Sequence, residues 1–229
     1  MDMRFGKILA VALLWMGCGY AAQAQLGVYV LFSATGYTSI QCYSVAPTPC
    51  SNGAHGGTNA AGMVTGGGTG SVNPTGLSGG LYYDFKTLGP VRLGVDVRGG
   101  NNHANKSAVS SAGGDNITGG SYFLGGVRGS IHTPISWLRP YAQVSAGYAH
   151  SDATEPIVAG TVAAPNPPRA YDNFLQYEGF VGADIHVLPI VDLRAIELGI
   201  GNMSRIGSGS GTSSVGVRSI GVGVVLRLP

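Results

Sequence analysis

The chain has 229 residues, and only 10% of them are charged, whereas soluble globular domains devote about a quarter of their residues to charge. The formal net charge is +2, and no run of lysines or arginines indicates a nucleic-acid partner. A mean hydropathy of +0.20 excludes a disordered chain, because disorder requires low hydrophobicity and high net charge.

The first residues have the pattern of a secretory signal peptide. Two basic residues, Arg4 and Lys7, precede a short apolar run over 8–16, and 22–24 read Ala-Gln-Ala. A basic start, an apolar core and an A-x-A site are typical of a segment that is cleaved after export. We therefore predict a signal peptide over 1–24 and export through the Sec pathway.

Which cysteines remain in the mature chain depends on that cleavage. Removal of the signal peptide leaves Cys42 and Cys50, and a pair of cysteines in an exported chain indicates a disulfide. Two independent thiols are the alternative. Cys18 leaves lipid attachment open, although the bulky side chains of Trp15 and Met16 fit a lipoprotein site poorly.

Period-two alternation of apolar residues dominates the rest of the chain, and this alternation is typical of strands. Each predicted strand is close to or longer than the roughly 9–11 residues that a tilted strand needs to cross a bilayer. The eight predicted strands lie at about 26–36, 75–85, 91–101, 120–132, 138–150, 174–186, 191–201 and 215–228.

The connections alternate between short and long. The short ones are 86–90, 133–137 and 187–190, and the long ones are about 37–74, 102–119, 151–173 and 202–214. In outer-membrane barrels short turns face the periplasm and long loops face outside. We therefore predict one β-barrel domain over 25–229, with the long segments as extracellular loops.

Several segments resemble the small eight-stranded outer-membrane barrels of the OmpA and OmpX type. They are "GLSGGLYYDF", "VRLGVDVRGG", "PYAQVSAGYAHS", "YEGFVGADIHV" and "LRAIELGIG". The resemblance implies an all-β, eight-stranded, antiparallel up-and-down transmembrane barrel in the bacterial outer membrane. The implied partners are phospholipid and lipopolysaccharide, with the barrel-assembly machinery and periplasmic chaperones during biogenesis.

The chain departs from that family in two respects. The peptidoglycan-binding domain that follows the barrel in OmpA-like proteins is expected to be absent. The sequence also ends "GVVLRLP", whereas such barrels usually end on an aromatic residue that the assembly machinery recognises. Leu226 and Leu228 keep the apolar spacing of that signal.

We expect the protein to be a monomer.

Charge patterning assigns the two faces of the barrel wall. In "VRLGVDVRGG", apolar residues alternate with Arg92, Asp96 and Arg98. Arginine on a lipid-facing strand position costs about 2–4 kcal/mol at the bilayer midplane, so the charged face is predicted to line the lumen. The same test sends Phe123 and Val144 outward. It places eleven charges inside: Asp84, Arg92, Asp96, Arg98, Arg128, Arg139, Glu178, Asp184, Arg194, Glu197 and Arg227.

These charges form a predicted lumen network that either fills the barrel or gates it. Strand directions place one group near the midplane: Asp96, Arg128, Glu178, Arg194 and Glu197. Arg194 and Glu197 have opposite parity, so both can face inward only if a β-bulge lies near Ala195 and Ile196.

No catalytic, cofactor or metal site is predicted. Adjacent residues of a strand point to opposite faces, so His150, Ser151 and Asp152 cannot combine as nucleophile and base. The His-x-Ser spacing of lipid A-editing barrels is absent. The other histidines, His55, His103, His132 and His186, lack metal-ligand spacing.

These observations favour a non-enzymatic protein that stabilises the envelope or interacts with surfaces through its extracellular loops. A small gated pore with a charged lumen is the first alternative. A lipid A-modifying barrel enzyme is the second.

Overall fold

The computed structural model describes residues 25–44, 57–58, 64–65, 68–103, 119–153, 157–159, 171–207 and 214–228. Within these ranges, no helix is long and apolar enough to cross a membrane. The predicted signal peptide and Cys50, and hence the predicted disulfide, lie outside the described residues.

Twelve strands are present in the described ranges. They are β1 (Gln25–Ser44), β2 (Gly57–Thr58), β3 (Val64–Thr65), β4 (Gly68–Val72), β5 (Thr75–Leu88), β6 (Val91–His103), β7 (Gly119–Ile131), β8 (Leu138–Ser151), β9 (Ile157–Ala159), β10 (Asp172–Leu188), β11 (Val191–Arg205) and β12 (Ser214–Leu228).

Eight of these strands close into a barrel. Their order is β1, β5, β6, β7, β8, β10, β11 and β12. Each pairs antiparallel with its neighbour, and β12 returns to β1 with Leu26 opposite Leu228. Closure leaves no free sheet edge in the wall. The predicted eight-stranded, antiparallel, up-and-down barrel is confirmed.

The barrel has two distinct ends. The connections 89–90, 132–137 and 189–190 are short and lie together with Gln25 and Leu228 at one end, which we call the turn end. We call the opposite end the loop end. Every barrel strand has at least 13 residues, which exceeds the roughly 9–11 that cross a bilayer.

The wall extends further at the loop end than the sequence predicts. The predicted loop begins at residue 37, but β1 continues to Ser44 and pairs with β4 from Tyr37 opposite Val72 onward. A backbone hydrogen bond of 2.8 Å from Thr35 N to Pro74 O carries the pairing across the break between β4 and β5.

The outer face of the wall is apolar around the barrel. Val144 is 71% exposed, Phe123 62% and Val95 47%, which confirms the predicted outward residues. Further exposed apolar residues include Phe32, Leu81, Val127, Leu175, Leu198 and Val222, so each of the eight barrel strands carries at least one. Apolar patches this extensive are rare on soluble monomers and are what a lipid-embedded barrel requires.

Tyrosine and glycine pair across strands on the inner face. The directly opposed pairs are Tyr29 with Gly80, Tyr82 with Gly27, Tyr122 with Gly100, and Tyr141 with Gly182. A Cβ on Gly27 would lie 2.2 Å from Cζ of Tyr82, which is well inside van der Waals contact. The missing side chain therefore gives each ring room to lie against the wall.

Candidate functional site in the barrel lumen

A continuous chain of ion pairs crosses the middle of the lumen. Arg98 Nη1 lies 2.8 Å from Glu197 Oε1, and Glu197 Oε2 lies 3.1 Å from Arg194 Nη1. Asp184 continues the chain, 2.8 Å from Arg194 Nε and 3.0 Å from Arg128 Nη2. With Asp96, 3.4 Å from Arg98 Nε, these residues are called the ionic layer.

A β-bulge makes this layer possible. The pairing of β11 with β12 shifts between Arg194 and Glu197, so Ala195 and Ile196 together face one residue of β12. The shift sends Ile196 outward, where it is 41% exposed, while Arg194 and Glu197 are 0% and 5% exposed. The predicted bulge is confirmed.

Aromatic rings stack on the three arginines of the layer. The distances from the guanidinium carbon to the ring centroid are 3.8 Å for Arg98 to Phe180, 3.9 Å and 4.1 Å for Arg128 to Tyr82 and Tyr141, and 4.5 Å for Arg194 to both Tyr29 and Tyr141. Cation–π contacts of this kind strengthen when they are desolvated, and these contacts also hold each guanidinium plane in place.

Neutral donors satisfy the remaining carboxylate oxygens. The Tyr29 hydroxyl donates to Asp96 at 2.9 Å, and Gln143 Nε2 donates to the same carboxylate at 2.6 Å. The Tyr141 hydroxyl donates to Glu197. Buried ion pairs are tolerated when hydrogen bonds complete them, and the carboxylates of Asp96 and Glu197 meet that condition.

A second ionic group lies nearer the turn end. Asp192 is fully buried and contacts Nδ1 of His186 at 2.9 Å, and Arg227 donates to the same carboxylate. Sequence reasoning missed Asp192. It shares its parity with Arg194, so the alternation in "VDLRAIELGIG" carried the signal.

The other predicted lumen charges lie on either side of the ionic layer. Asp84, Arg92 and Arg139 line a cavity on the turn side. Glu178 lies on the loop side, where it accepts hydrogen bonds from Gln176 at 2.9 Å and Ser219 at 3.0 Å. Of the predicted midplane group, Glu178 is the member that lies outside the ionic layer, while Arg98 and Asp184 belong to the layer in addition. The role of the eleven charges, structural or gating, stays a prediction.

An apolar cluster fills the lumen at the loop end, and we call it the apolar cap. Its members are Tyr37, Ala149, Ala153, Phe174, Met203, Val215 and Val217. Sequence reasoning missed it because inward positions were expected to be polar. Parity would have found part of it, since Phe174 follows the same alternation as Gln176 and Val217 the same as Arg227.

His150 and Ser151 are the last residues of β8, and Asp152 follows them directly. Ser151 Oγ donates to Gly119 O at 2.8 Å, and Asp152 Oδ1 accepts from Gly119 N at 2.7 Å. His150 points outward and stacks on Tyr171 with ring centroids 5.2 Å apart. The opposite faces agree with the strand argument. No group of three or more His, Cys, Asp or Glu side chains in the described part of the chain could hold a metal ion.

No protein-family model and no curated protein sequence matches the chain. Solved structures similar to it include Ail, the attachment invasion locus protein of Yersinia pestis, in complex with the heparin analogue sucrose octasulfate. Ail matches at 10% identity and a TM-score of 0.44, and the match covers 90% of this chain and 99% of that chain. Neisserial surface protein A matches at 16% identity and a TM-score of 0.43, covering 89% and 96%. The outer membrane protease OmpT from Escherichia coli matches at 8% identity and a TM-score of 0.33, covering 90% and 96%. At these scores the similarities carry no inference about function.

Proposed function

We propose that the protein is a bacterial outer-membrane barrel with a sealed lumen and no catalytic role, which stabilises the envelope or interacts with surfaces through its loops. The apolar outer face supports a membrane location, because lipid is the environment in which such a face is stable. The turn end would lie in the periplasm and the loop end outside. The long segments that join the strands at the loop end would then carry any binding.

The sealed lumen carries this proposal. The ionic layer spans the lumen, and Arg98, Arg128 and Arg194 are at most 2% exposed. The apolar cap closes the loop end with Phe174 fully buried. An eight-stranded barrel is just wide enough for side chains to fill it, so two filled layers leave little room for a continuous water path.

Electrical recording tests the seal directly. The purified full chain, reconstituted in planar bilayers, is expected to give no steady conductance. Its fold is checked by heat-dependent gel mobility. Steady single-channel currents from the folded protein would contradict a sealed lumen.

Loop deletions test the proposed role in the envelope. Shortening the segments over 104–118 or 208–213 is expected to leave the barrel folded and to weaken envelope integrity or surface binding in cells that make the protein. The matched control is a substitution at the turn end, Lys86→Gln, on an exposed outer residue. Unchanged integrity and unchanged surface binding after all loop deletions would count against this role.

A gated pore is the second candidate, and the cavities on both sides of the ionic layer favour it. In this case the ionic layer would be a gate that opens when ion pairs exchange. Neutralising Arg194 or Glu178 would then raise conductance above that of the wild-type protein. Absence of current in both variants would remove this candidate.

A further inference from the structure

The cavity on the turn side of the ionic layer has an unusual lining. Arg92, Arg128 and Arg139 face it together with Asp84 and His132. His132 is exposed and Arg92 is half-buried, so the cavity is open toward the turn end. We call it the turn-end cavity.

Positive charge is concentrated around this cavity. Two further aspartates line it, but Asp184 is already paired with Arg194 and Asp192 with Arg227. When these partners are included, five arginines stand against three aspartates. On the loop side the balance is reversed, because the charged residues among those that line the cavity there are Arg98, Glu178 and Glu197. The turn-end cavity is therefore the electropositive half of the lumen.

Several guanidinium donors in this cavity have no acceptor. Arg128 is 2% exposed and uses Nη2 on Asp184, while its Nε and Nη1 atoms are buried without a hydrogen-bond partner among the described residues. The same holds for Nε of Arg139 within the described part of the chain. No carboxylate in the described ranges pairs with Arg92, which donates to the Gln25 side chain at 3.1 Å. Buried donors without acceptors are costly.

Stacked rings fix the direction of the Arg128 donors. Tyr82 and Tyr141 hold the guanidinium plane of Arg128 at 3.9 Å and 4.1 Å, so its edge is preorganised. The remaining N–H groups of Arg128 can each donate a charge-assisted hydrogen bond to an oxyanion.

We propose that the turn-end cavity binds a small oxyanion from the compartment at the turn end, held by the guanidinium groups of Arg92, Arg128 and Arg139.

Asp84 limits the affinity of this site. It is 4% exposed, and no donor in the described part of the chain reaches its Oδ1 atom. As the one carboxylate of the cavity without an ion pair in the described ranges, it repels an anion. Asp84→Asn is therefore expected to tighten binding, whereas loss of an arginine is expected to weaken it.

The test uses inorganic phosphate and the folded full chain in detergent micelles. Phosphate replaces chloride at constant ionic strength, and the backbone amide resonances are followed by NMR. The expected result is a saturable shift at residues around the cavity. Arg92→Gln and Arg139→Gln are expected to weaken phosphate binding at least about five-fold, and Asp84→Asn to strengthen it. Lys86→Gln removes one charge from the outer face of the same end and is expected to change nothing.

Three outcomes would overturn the proposal. One is the absence of a saturable shift in the folded wild-type protein. Another is equal weakening by Lys86→Gln and Arg139→Gln, which would indicate a general charge effect. The last is weaker binding after Asp84→Asn. If an arginine variant fails to show the gel mobility of a folded barrel, the proposal is tested by the phosphate titrations of the wild-type protein and of Asp84→Asn.

Discussion

The inner and outer faces of the barrel wall are built from the same strands by opposite rules. In β8, Val144 is 71% exposed on the outer face, whereas its neighbours Gln143 and Ser145 are 3% and 2% exposed on the inner face. A side chain changes environment at every residue because strand side chains alternate. The face on which a residue lies is therefore a main determinant of what its substitution does.

The two faces also differ in how polar groups are satisfied. Inside, arginines, carboxylates and tyrosine hydroxyls serve as partners for one another, as Arg194 does with Asp184 and Glu197. Outside, the apolar outer face, which we call the apolar belt, has few polar groups that need a hydrogen-bond partner. Removing one member of the inner network leaves its partners buried without a hydrogen bond or ion pair. Replacing one apolar residue of the apolar belt by another has no such consequence.

The largest expected effect comes from the inner face. Arg194→Leu removes the residue that links Asp184 to Glu197, and orphaning buried partners costs about 3–5 kcal/mol. Urea unfolding in lipid vesicles, followed by tryptophan fluorescence, measures the free energy of unfolding. The matched control is Arg218→Leu at an exposed outer position, for which a change within about 0.5 kcal/mol is expected. Similar losses in the two variants would remove the distinction between the faces.

The second-largest expected effect comes from a substitution on the outer face. Val144→Arg places a charge on the belt, where lipid makes it cost about 2–4 kcal/mol near the midplane. The control is Val187→Arg, which is also on an exposed outer residue, 59% exposed, but near the turn end. There the cost is expected to fall to about 0–1 kcal/mol.

The same unfolding experiment in vesicles compares the two variants. A cost that does not depend on depth would argue against a lipid-facing belt. A cost near zero at both positions would mean that water surrounds this face.

Much of this arrangement follows from the sequence. Alternation located the eight barrel strands, and the cost of charge in lipid assigned their faces. The opposite parity of Arg194 and Glu197 predicts the bulge that the register of β11 and β12 contains. These features depend on local periodicity, which a single chain displays.

Other features depend on contacts between distant strands. The choice of Arg98 over Glu178 as a partner in the ionic layer is set by strand stagger, which brings Arg98 to Glu197 across 99 positions of sequence. The apolar cap and the extension of β1 both lie at the loop end. Alternation marks Phe174 and Val217 as inward residues but does not show that they pack together, and it gives no signal for the extension of β1.

The smallest expected effect tests the close fit within the inner face. On Gly27→Ala, the new Cβ would lie 2.2 Å from the Tyr82 ring, so the ring must move away from Arg128, on which it stacks. Overpacking of this kind costs about 1–3 kcal/mol. On Gly179→Ala, the nearest atom to the new Cβ, outside its chain neighbours, is 3.9 Å away, so no loss is expected. Vesicle unfolding measures both variants. Equal free energies of unfolding for the two variants would mean that the lumen tyrosines do not pack closely against the wall. The glycines opposite them would then need another explanation.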